Sequence, residues 1–524
     1  MKKIFYATLM LSTVLFTACS KKNNNNNSNT GPTSKGTTQQ LIQDSIYLYA
    51  AEDYLWYNQL PSYSTFNPRS FTAADNFSAL QKEMDALSQY AINPTTSAPY
   101  EYYADDPGVA KYSFIDDGSE TSALNGVKGD FGLDVQYNLV NDLRIEYTYA
   151  GSPAGLAGIK RGDEIISING STNISYDGPG YGSGTSTNLN FVSNAIYNSQ
   201  TLTMQLQRAD NSTYTVNLST ANYNVNPVLK DTTITEKSGN KLGYIVFNSF
   251  VSTDVAGPIL DPIFANFAAQ GITDLVVDLR YNGGGYVSTA EHIDNLIVPN
   301  GKSGTLMYNT YYNSNLQNGK DPLLGNQWRA GSPDYNYKEL DFSVSGNAFD
   351  FTKIGSLNVS RVFFIITGQT ASASELTINN LRPELNVQFV GQKSYGKPVG
   401  FFDIDINKYI MYTPEFSVEN SAGQGAYYDG FTPGSSGYPG VNDYDDLTKD
   451  WGDPTEGLLS DILSYVNTGA YAVHKQAIQS ANPAIRAFAF NPANPKRLTL
   501  NPHKFIGMVG KQAMFKTARL LRKK

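Results

Sequence analysis

Three strongly apolar runs constrain the fold of this chain more than any other feature of the sequence. They span residues 242–247, 275–279 and 362–366, and helical stretches separate them. Runs of this kind are typical of strands buried on both faces, and their alternation with helices is typical of an α/β domain. We therefore predict one α/β domain over residues 227–470, interrupted by a long polar insertion.

A small helical domain is predicted over residues 41–118. Phe77, Leu80, Met84 and Leu87 are spaced three, four and three residues apart, which is the pattern of an amphipathic helix. We interpret this unit as a packing module. With 524 residues, the chain is long enough for several domains of this size.

A β-rich unit is predicted over residues 119–226, because short alternating stretches are separated there by glycine turns. Residues 151–170 resemble a PDZ domain. Phe131, Gly132 and Leu133 match the PDZ loop whose backbone amides hold the terminal carboxylate of a peptide, and Gly132 lets these amides converge. The peptide would add as a strand to the sheet edge. The alternative is a PDZ fold that serves only as a spacer.

The first residues of the sequence have the pattern of an export signal. Two lysines precede an apolar run over residues 4–16, which is too short to span a bilayer, and small residues then lead to Cys19. This segment, residues 1–19, resembles a bacterial lipoprotein signal, which implies a lipid anchor at Cys19 and attachment to a membrane of the cell envelope. The alternative is an ordinary signal peptide with an incidental cysteine.

Residues 20–40 are rich in Asn, Ser, Thr and Gly and are predicted to be a flexible linker. Ser20, directly after the cysteine, favours the outer membrane of a Gram-negative cell. Residues 471–524 form a basic C-terminal extension, with no Asp or Glu from residue 475 onward. This extension either contacts an acidic surface or lipid headgroups, or is a solvated tail.

Composition excludes several classes of function. Cys19 is the only cysteine, so an intrachain disulfide and a thiolate metal cluster are both excluded. The three histidines, His292, His474 and His503, have no metal-binding spacing, and we expect neither metal nor cofactor. The formal net charge of −8 argues against nucleic acid as a partner.

Ser372 is the candidate nucleophile, because it lies where an apolar strand runs into a predicted helix. The amide of Ala373 would point toward the same space as the serine hydroxyl, and the positive end of the helix would favour an oxyanion there. Turns of this type are also common without catalysis.

A serine hydroxyl needs a base, and no histidine lies in a recognisable serine–histidine–aspartate context. Lys397 is the candidate base, because burial would keep its amine neutral. Gly396 precedes it in a turn and Pro398 fixes the following backbone. The alternative is an ordinary surface lysine, the commoner fate of lysines.

Several motifs resemble the C-terminal processing, or tail-specific, serine protease family. Residues 371–375 read Ala-Ser-Ala-Ser-Glu, and residues 394–397 read Ser-Tyr-Gly-Lys, which places Lys397 25 positions after Ser372. The family's D-L-R-x-N-x-G-G motif matches residues 278–285. Further matches occur at residues 111–115, 429–433 and 452–459.

The resemblance implies a multidomain α+β protein with a ClpP/crotonase-like α/β serine protease domain. It implies a Ser372–Lys397 dyad, an oxyanion hole formed by the amides of Ala373 and Gly284, with Gly283 as the next choice, and protein or peptide substrates with free C-termini. Many family members carry a Gln where this chain has Phe401, and some carry an Asp at the position of Pro383. The rival hypothesis is therefore a catalytically weak or inactive peptide-binding envelope lipoprotein that uses the same PDZ-like unit and cleft.

Overall fold

The computed structural model describes residues 31–104, 106–178, 186–327, 337–472 and 507–509. The predicted signal segment with Cys19 and most of the basic extension lie outside these residues. No helix in the described part of the chain is both long enough and apolar enough to cross a membrane.

The N-terminal region is helical and packs directly on the α/β region. Its elements are α1 (Thr38–Asp53), α2 (Tyr63–Phe66), α3 (Asn76–Ser88) and β1 (Phe114–Asp116). Leu80, Met84 and Leu87 of α3 are buried, as the spacing predicts, whereas Phe77 is partly exposed and lies against Tyr409. These helices share one hydrophobic core with the α/β region, so they are not packed as a separate body.

The β-rich region has a hydrophobic core of its own, made of residues between 131 and 218. Its elements are α4 (Ser119–Leu124), β2 (Val127–Lys128), β3 (Leu133–Leu139), β4 (Asp142–Thr148), α5 (Pro153–Leu156), β5 (Glu164–Ile168), α6 (Thr187–Tyr197), β6 (Thr201–Gln207), β7 (Thr213–Ser219) and β8 (Tyr223–Asn224). Strands β3 to β7 form an antiparallel sheet in chain order, in which β3 is an edge strand.

The α/β region begins at residue 228 and contains the remaining elements. They are β9 (Val228–Thr235), β10 (Lys241–Phe247), α7 (Thr253–Gln270), β11 (Asp274–Asp278), β12 (Gly284–Tyr286), α8 (Val287–Ile297), β13 (Leu306–Tyr312), α9 (Ser314–Gln317), β14 (Ala348–Asp350), β15 (Arg361–Ile366), α10 (Ala373–Leu381), β16 (Asn386–Gly391), β17 (Val399–Gly400), β18 (Ile404–Ile406), β19 (Tyr409–Tyr412), β20 (Phe416–Asn420), β21 (Gly440–Asn442), α11 (Gly457–Thr468) and β22 (Gly507–Val509).

A six-stranded sheet, in the order β21-β16-β15-β11-β10-β9, forms the centre of this region. All neighbouring strands in it are parallel except β9 and β10. Alternate residues of β10, β11 and β15 enter two different cores, one shared with α7, α8 and α10 and the other with α11. Both faces are therefore covered, which explains why the three predicted strands are apolar at nearly every position. The loops that follow β11 and β15 lie at the same edge of the sheet, because the two strands are parallel.

A buried ion-pair network at this edge joins the β-rich region to the α/β region. Asp445 accepts hydrogen bonds from Arg161 at 2.5 Å and from Arg280 at 2.6 Å, and all three side chains are at most 1% exposed. Arg280 also pairs with Asp278 at 2.7 Å and with Glu456 at 2.9 Å. Arg161 belongs to the β-rich region, so the network fixes that region beside the end of β11.

We expect Asp445→Ala to lower the free energy of unfolding by about 3–5 kcal/mol, because it leaves two buried guanidinium groups without their shared carboxylate. Denaturant unfolding followed by tryptophan fluorescence measures this change. Asp231→Ala is the matched control, since Asp231 is exposed on β9, and should change the value by less than about 0.5 kcal/mol. Equal unfolding curves for the two variants would show that the network does not stabilise the fold.

Candidate active site

Ser372 lies at the N-terminus of α10, directly after the loop that follows β15. Its backbone has φ 60° and ψ −109°, a positive-φ conformation outside the left-handed helical region that is unusual for a residue with a side chain. Such strain persists only where the surroundings enforce it. The side chain is fully buried, and its hydroxyl has no hydrogen-bond partner among the described residues.

The carboxylate of Glu375 holds the backbone of Ser372 close to the backbone of Lys397. Its Oε2 accepts a hydrogen bond from the Ser372 amide at 3.0 Å and another from the Lys397 amide at 2.8 Å. The two backbone nitrogens are therefore within about 6 Å of each other. The structure thus brings the backbones of Ser372 and Lys397 together, and that their side chains act as a dyad stays a prediction.

The other oxygen of Glu375 fixes the turn that leads to Lys397. Oε1 accepts hydrogen bonds from the Gly396 amide at 2.8 Å and from the Ser394 hydroxyl at 2.6 Å. Burial raises the pKa of Glu375, and these hydrogen bonds act in the opposite direction. Four donors on one buried carboxylate satisfy it fully, so the clamp is rigid.

Lys397 is fully buried, so the alternative of a surface lysine does not describe its position. Burial lowers the pKa of its amine well below the ordinary value of 10.5, while the negative charges of Glu101, Glu375 and Glu415 oppose this shift. Nζ lies 3.7 Å from the centroid of the Phe401 ring. The face of an aromatic ring favours the charged amine, so Phe401 also opposes the shift.

Two residues of the segment before the β-rich region position the turn at Gly396. The Gly396 carbonyl accepts hydrogen bonds from the Tyr112 hydroxyl at 2.7 Å and from the Lys111 ammonium at 3.2 Å. Lys111 also donates to the Tyr428 carbonyl at 3.0 Å, and burial lowers its pKa to about 8. The match of residues 111–115 to a family motif signalled this segment, but nothing in the sequence indicated its contact with the Lys397 turn.

Glu101 is a buried carboxylate that the sequence analysis missed. It accepts hydrogen bonds from the amides of Tyr112 and Ser113, at 3.0 and 2.8 Å, from the Ser113 hydroxyl at 2.7 Å and from the Tyr54 hydroxyl at 2.8 Å. Of the carboxylates that favour the protonated form of Lys397, Glu101 has the strongest electrostatic interaction with it. No local pattern could have found it, because its role depends on contacts across different regions.

Gly284 lies beside the first turn of α10, as the predicted oxyanion hole requires. Its φ is 107°, and a Cβ added to it would lie 3.0 Å from the Ala373 amide nitrogen. Ala373 is the first residue of the helix, so its N–H has no acceptor within that helix. The Gly284 amide donates to Asn282 Oδ1 at 2.9 Å, and Asn282 Nδ2 donates to the Phe247 carbonyl at 2.8 Å. Asn282 therefore sets the conformation of the glycine loop.

The predicted peptide-binding residues lie at the start of edge strand β3. Gly132 has φ 75°, and a Cβ there would come within 1.9 Å of Ser152 Cβ, so only glycine fits. The Gly132 amide donates to Asp130 Oδ1 at 2.8 Å, and the Phe131 side chain is buried. Leu133 is the first residue of β3. Whether this loop binds a carboxylate stays a prediction.

The β-rich region also contacts the nucleophile loop directly. The side-chain amide of Gln369 donates to Glu146 Oε1 at 2.9 Å, which joins β4 to the loop three residues before Ser372. His292, the one histidine in the described part of the chain, pairs with Asp261 at 2.6 Å. Within the described residues, no cluster of carboxylate, histidine and cysteine side chains could hold a metal ion.

Residues 241–433 match the sequence profile of peptidase family S41. This part of the chain is similar to peptidase family S41. The match includes Ser372, Lys397, Gly284 and the Glu375 clamp, and it confirms the resemblance to C-terminal processing serine proteases that the motifs indicated.

Curated proteins that are similar to this chain are named as C-terminal processing proteases. A probable CtpA-like serine protease of Staphylococcus aureus is 24% identical over 283 residues, which is 53% of this chain and 47% of that protein. The carboxy-terminal processing protease CtpA of Bacillus subtilis is 24% identical over 247 residues, 47% of this chain and 42% of that protein. The chain thus spans about half the length of the curated relatives it matches.

A solved structure shares the fold. The crystal structure of a Bacteroides fragilis protein assigned to the S41 proteases is 22% identical, with a TM-score of 0.51, and the match covers 80% of this chain and 96% of that one. At this identity the match shows the fold alone, and it confirms the predicted multidomain α+β class.

We expect Phe401→Leu to lower the pKa of Lys397 further, because the substitution removes the ring face that stabilises the ammonium form. A pH titration of lysines labelled with ¹³C at Cε, read by NMR, measures this pKa. Phe402→Leu is the matched control, since its ring is also buried but has no contact with Nζ among those described. An unchanged Lys397 pKa in Phe401→Leu would exclude the ring as a determinant.

Proposed function

We propose that this protein is a serine endopeptidase in which Ser372 is the nucleophile and Lys397 the general base. The observation that carries the proposal is the Glu375 carboxylate, which binds the backbone amides of both residues beside a fully buried lysine amine. Burial lowers the pKa of the Lys397 amine well below 10.5, so more of it is neutral at a given pH than in an exposed lysine, and only the neutral form can accept the serine proton.

The reaction follows from this arrangement. Ser372 Oγ attacks the scissile carbonyl carbon and transfers its proton to Lys397 Nζ. The oxyanion accepts hydrogen bonds from the Ala373 amide and from the Gly284 amide, which in this structure donates to Asn282. Lys397 then protonates the leaving amine, and water hydrolyses the acyl-enzyme by the reverse proton transfers.

We further propose that substrates are cleaved near their C-termini and that the β-rich region binds the substrate tail. The supporting features are the glycine loop at residues 131–133, which leads into edge strand β3, and the contact between Glu146 and Gln369. An extended peptide could pair with β3, because an edge strand has unpaired amides and carbonyls.

The cell envelope is the proposed location, with a lipid anchor at Cys19. This proposal rests on the sequence pattern at residues 1–19. A lipid-anchored protease would meet substrates at the membrane surface rather than in bulk solution.

The second candidate is a peptide-binding lipoprotein with little or no activity. Phe401 favours it, since this residue replaces the polar side chain that many relatives place near the lysine. The Ser372 hydroxyl, which lacks a hydrogen-bond partner among the described residues, favours it as well.

Cleavage of an unstructured protein such as casein by the wild type, Ser372→Ala and Lys397→Ala distinguishes the two candidates. We expect both variants to lose at least about a thousandfold in kcat, because neither remaining group can act alone. Equal cleavage by all three proteins would exclude the dyad. Peptide binding by all three without cleavage would favour the second candidate.

A peptide substrate with a free C-terminus should be cleaved with a kcat/KM about tenfold higher than the same peptide with a C-terminal amide, because amidation removes the charged acceptor of the loop amides. In Gly132→Ala, whose Cβ would displace the loop from Ser152, this difference should disappear. Equal kcat/KM values for the two peptides with the wild type would contradict binding of the substrate C-terminus by the β-rich region and would favour the alternative, that this region is only a spacer.

A further inference from the structure

Strand β22 is formed by three residues of the basic C-terminal extension and pairs with the glycine loop of the candidate active site. Its pairing with β12 is parallel, with Gly507 opposite Gly284 and Val509 opposite Tyr286. The Gly507 amide donates a hydrogen bond to the Gly283 carbonyl at 3.0 Å. The extension therefore contacts the protease region through a specific backbone register, which neither sequence-based alternative for this segment anticipated.

The carbonyl of Gly507 lies beside Gly284 and Ala373, the two residues of the predicted oxyanion hole. A Cβ added to Gly284 would be 2.3 Å from the Gly507 oxygen and 3.0 Å from the Ala373 nitrogen. The peptide group of Gly507 is therefore next to the helix start that follows Ser372. β22 also lies near β17, which begins two residues after Lys397.

The edge of β12 that a substrate could use is the edge that β22 occupies. On its opposite side, β12 is already bonded within the domain, since the Phe250 amide donates to the Gly284 carbonyl at 2.9 Å and the Tyr286 amide donates to the Phe250 carbonyl at 2.8 Å. Peptides commonly bind in clefts by adding as a strand to a free edge, so β22 has the form of a bound peptide.

We infer that residues 507–509 occupy the substrate groove of this same molecule and compete with added peptide for it. The consequence of this occupancy is autoinhibition, and that consequence rests on the proposed function. The occupancy itself can be measured as binding, without any cleavage. It also defines the peptide that the groove accepts, which is an extended segment with glycine opposite Gly284, because Gly507 is buried there.

The binding test uses the full chain with Ser372→Ala, so that no peptide is cleaved. The probe is a fluorescein-labelled peptide with the sequence of residues 505–511, Phe-Ile-Gly-Met-Val-Gly-Lys. Adding Gly507→Pro removes the amide that donates to Gly283 and should weaken the intramolecular strand. We expect the probe to bind about tenfold more tightly to the double variant, because a larger fraction of molecules has an open groove.

Two controls make the result specific. Ala513→Pro places the same substitution in the same extension, six residues after Gly507, and should leave probe affinity unchanged. A probe in which proline replaces the glycine that corresponds to Gly507 should bind to neither protein. Equal affinity of the original probe for Ser372→Ala with and without Gly507→Pro would overturn the inference.

Cleavage of an unlabelled peptide separates this inference from the proposed function. With Ser372 present, Gly507→Pro should raise the rate severalfold over the wild type, and Ala513→Pro should not. Tighter probe binding without any cleavage would support the occupied groove and contradict the proposed function. Cleavage at equal rates by the wild type and Gly507→Pro, with equal probe binding, would support the function and overturn the inference.

Discussion

The carboxylate of Glu375 is the interaction on which the candidate site depends. It stands in the first turn of α10 and binds the backbone of the residue at the helix start as well as the turn that carries Lys397. Because three of its four donors are backbone amides, it fixes the backbones of the two segments. The unusual φ of Ser372 is maintained by this bond together with the helix that follows.

Burial of the Lys397 amine determines the acid–base properties of the candidate site. The amine of Lys397 is removed from water, which lowers its pKa, but three carboxylates and one aromatic ring stabilise its charged form. The protonation state of Lys397 is therefore set by a balance between desolvation and nearby charge. The contact with Phe401 shows that a ring can occupy the position of a polar partner, because its face also interacts with an ammonium group.

The surrounding regions contribute to the same site. The helical region supplies Glu101, and the segment after it supplies Lys111 and Tyr112, which hold the Gly396 carbonyl. The β-rich region is fixed at the sheet edge by Arg161, and residues 507–509 of the C-terminal extension pair with β12 at Gly284.

The sequence by itself determined three of the six strands of the central sheet (β10, β11 and β15), the strand-to-helix position of Ser372 and the candidacy of Lys397, because apolar runs and short motifs are local signals. Tertiary structure alone decided that Lys397 is buried, that Asn282 binds the Gly284 amide and that residues 507–509 pair with β12. Glu375 combines a feature that the sequence determined with one that only the tertiary structure decided. Its motif was visible in the sequence, but its bonds to residues 394–397 exist only because parallel strands β15 and β16 end side by side. Contacts between segments distant in sequence leave no periodic pattern, so only the packed chain can specify them.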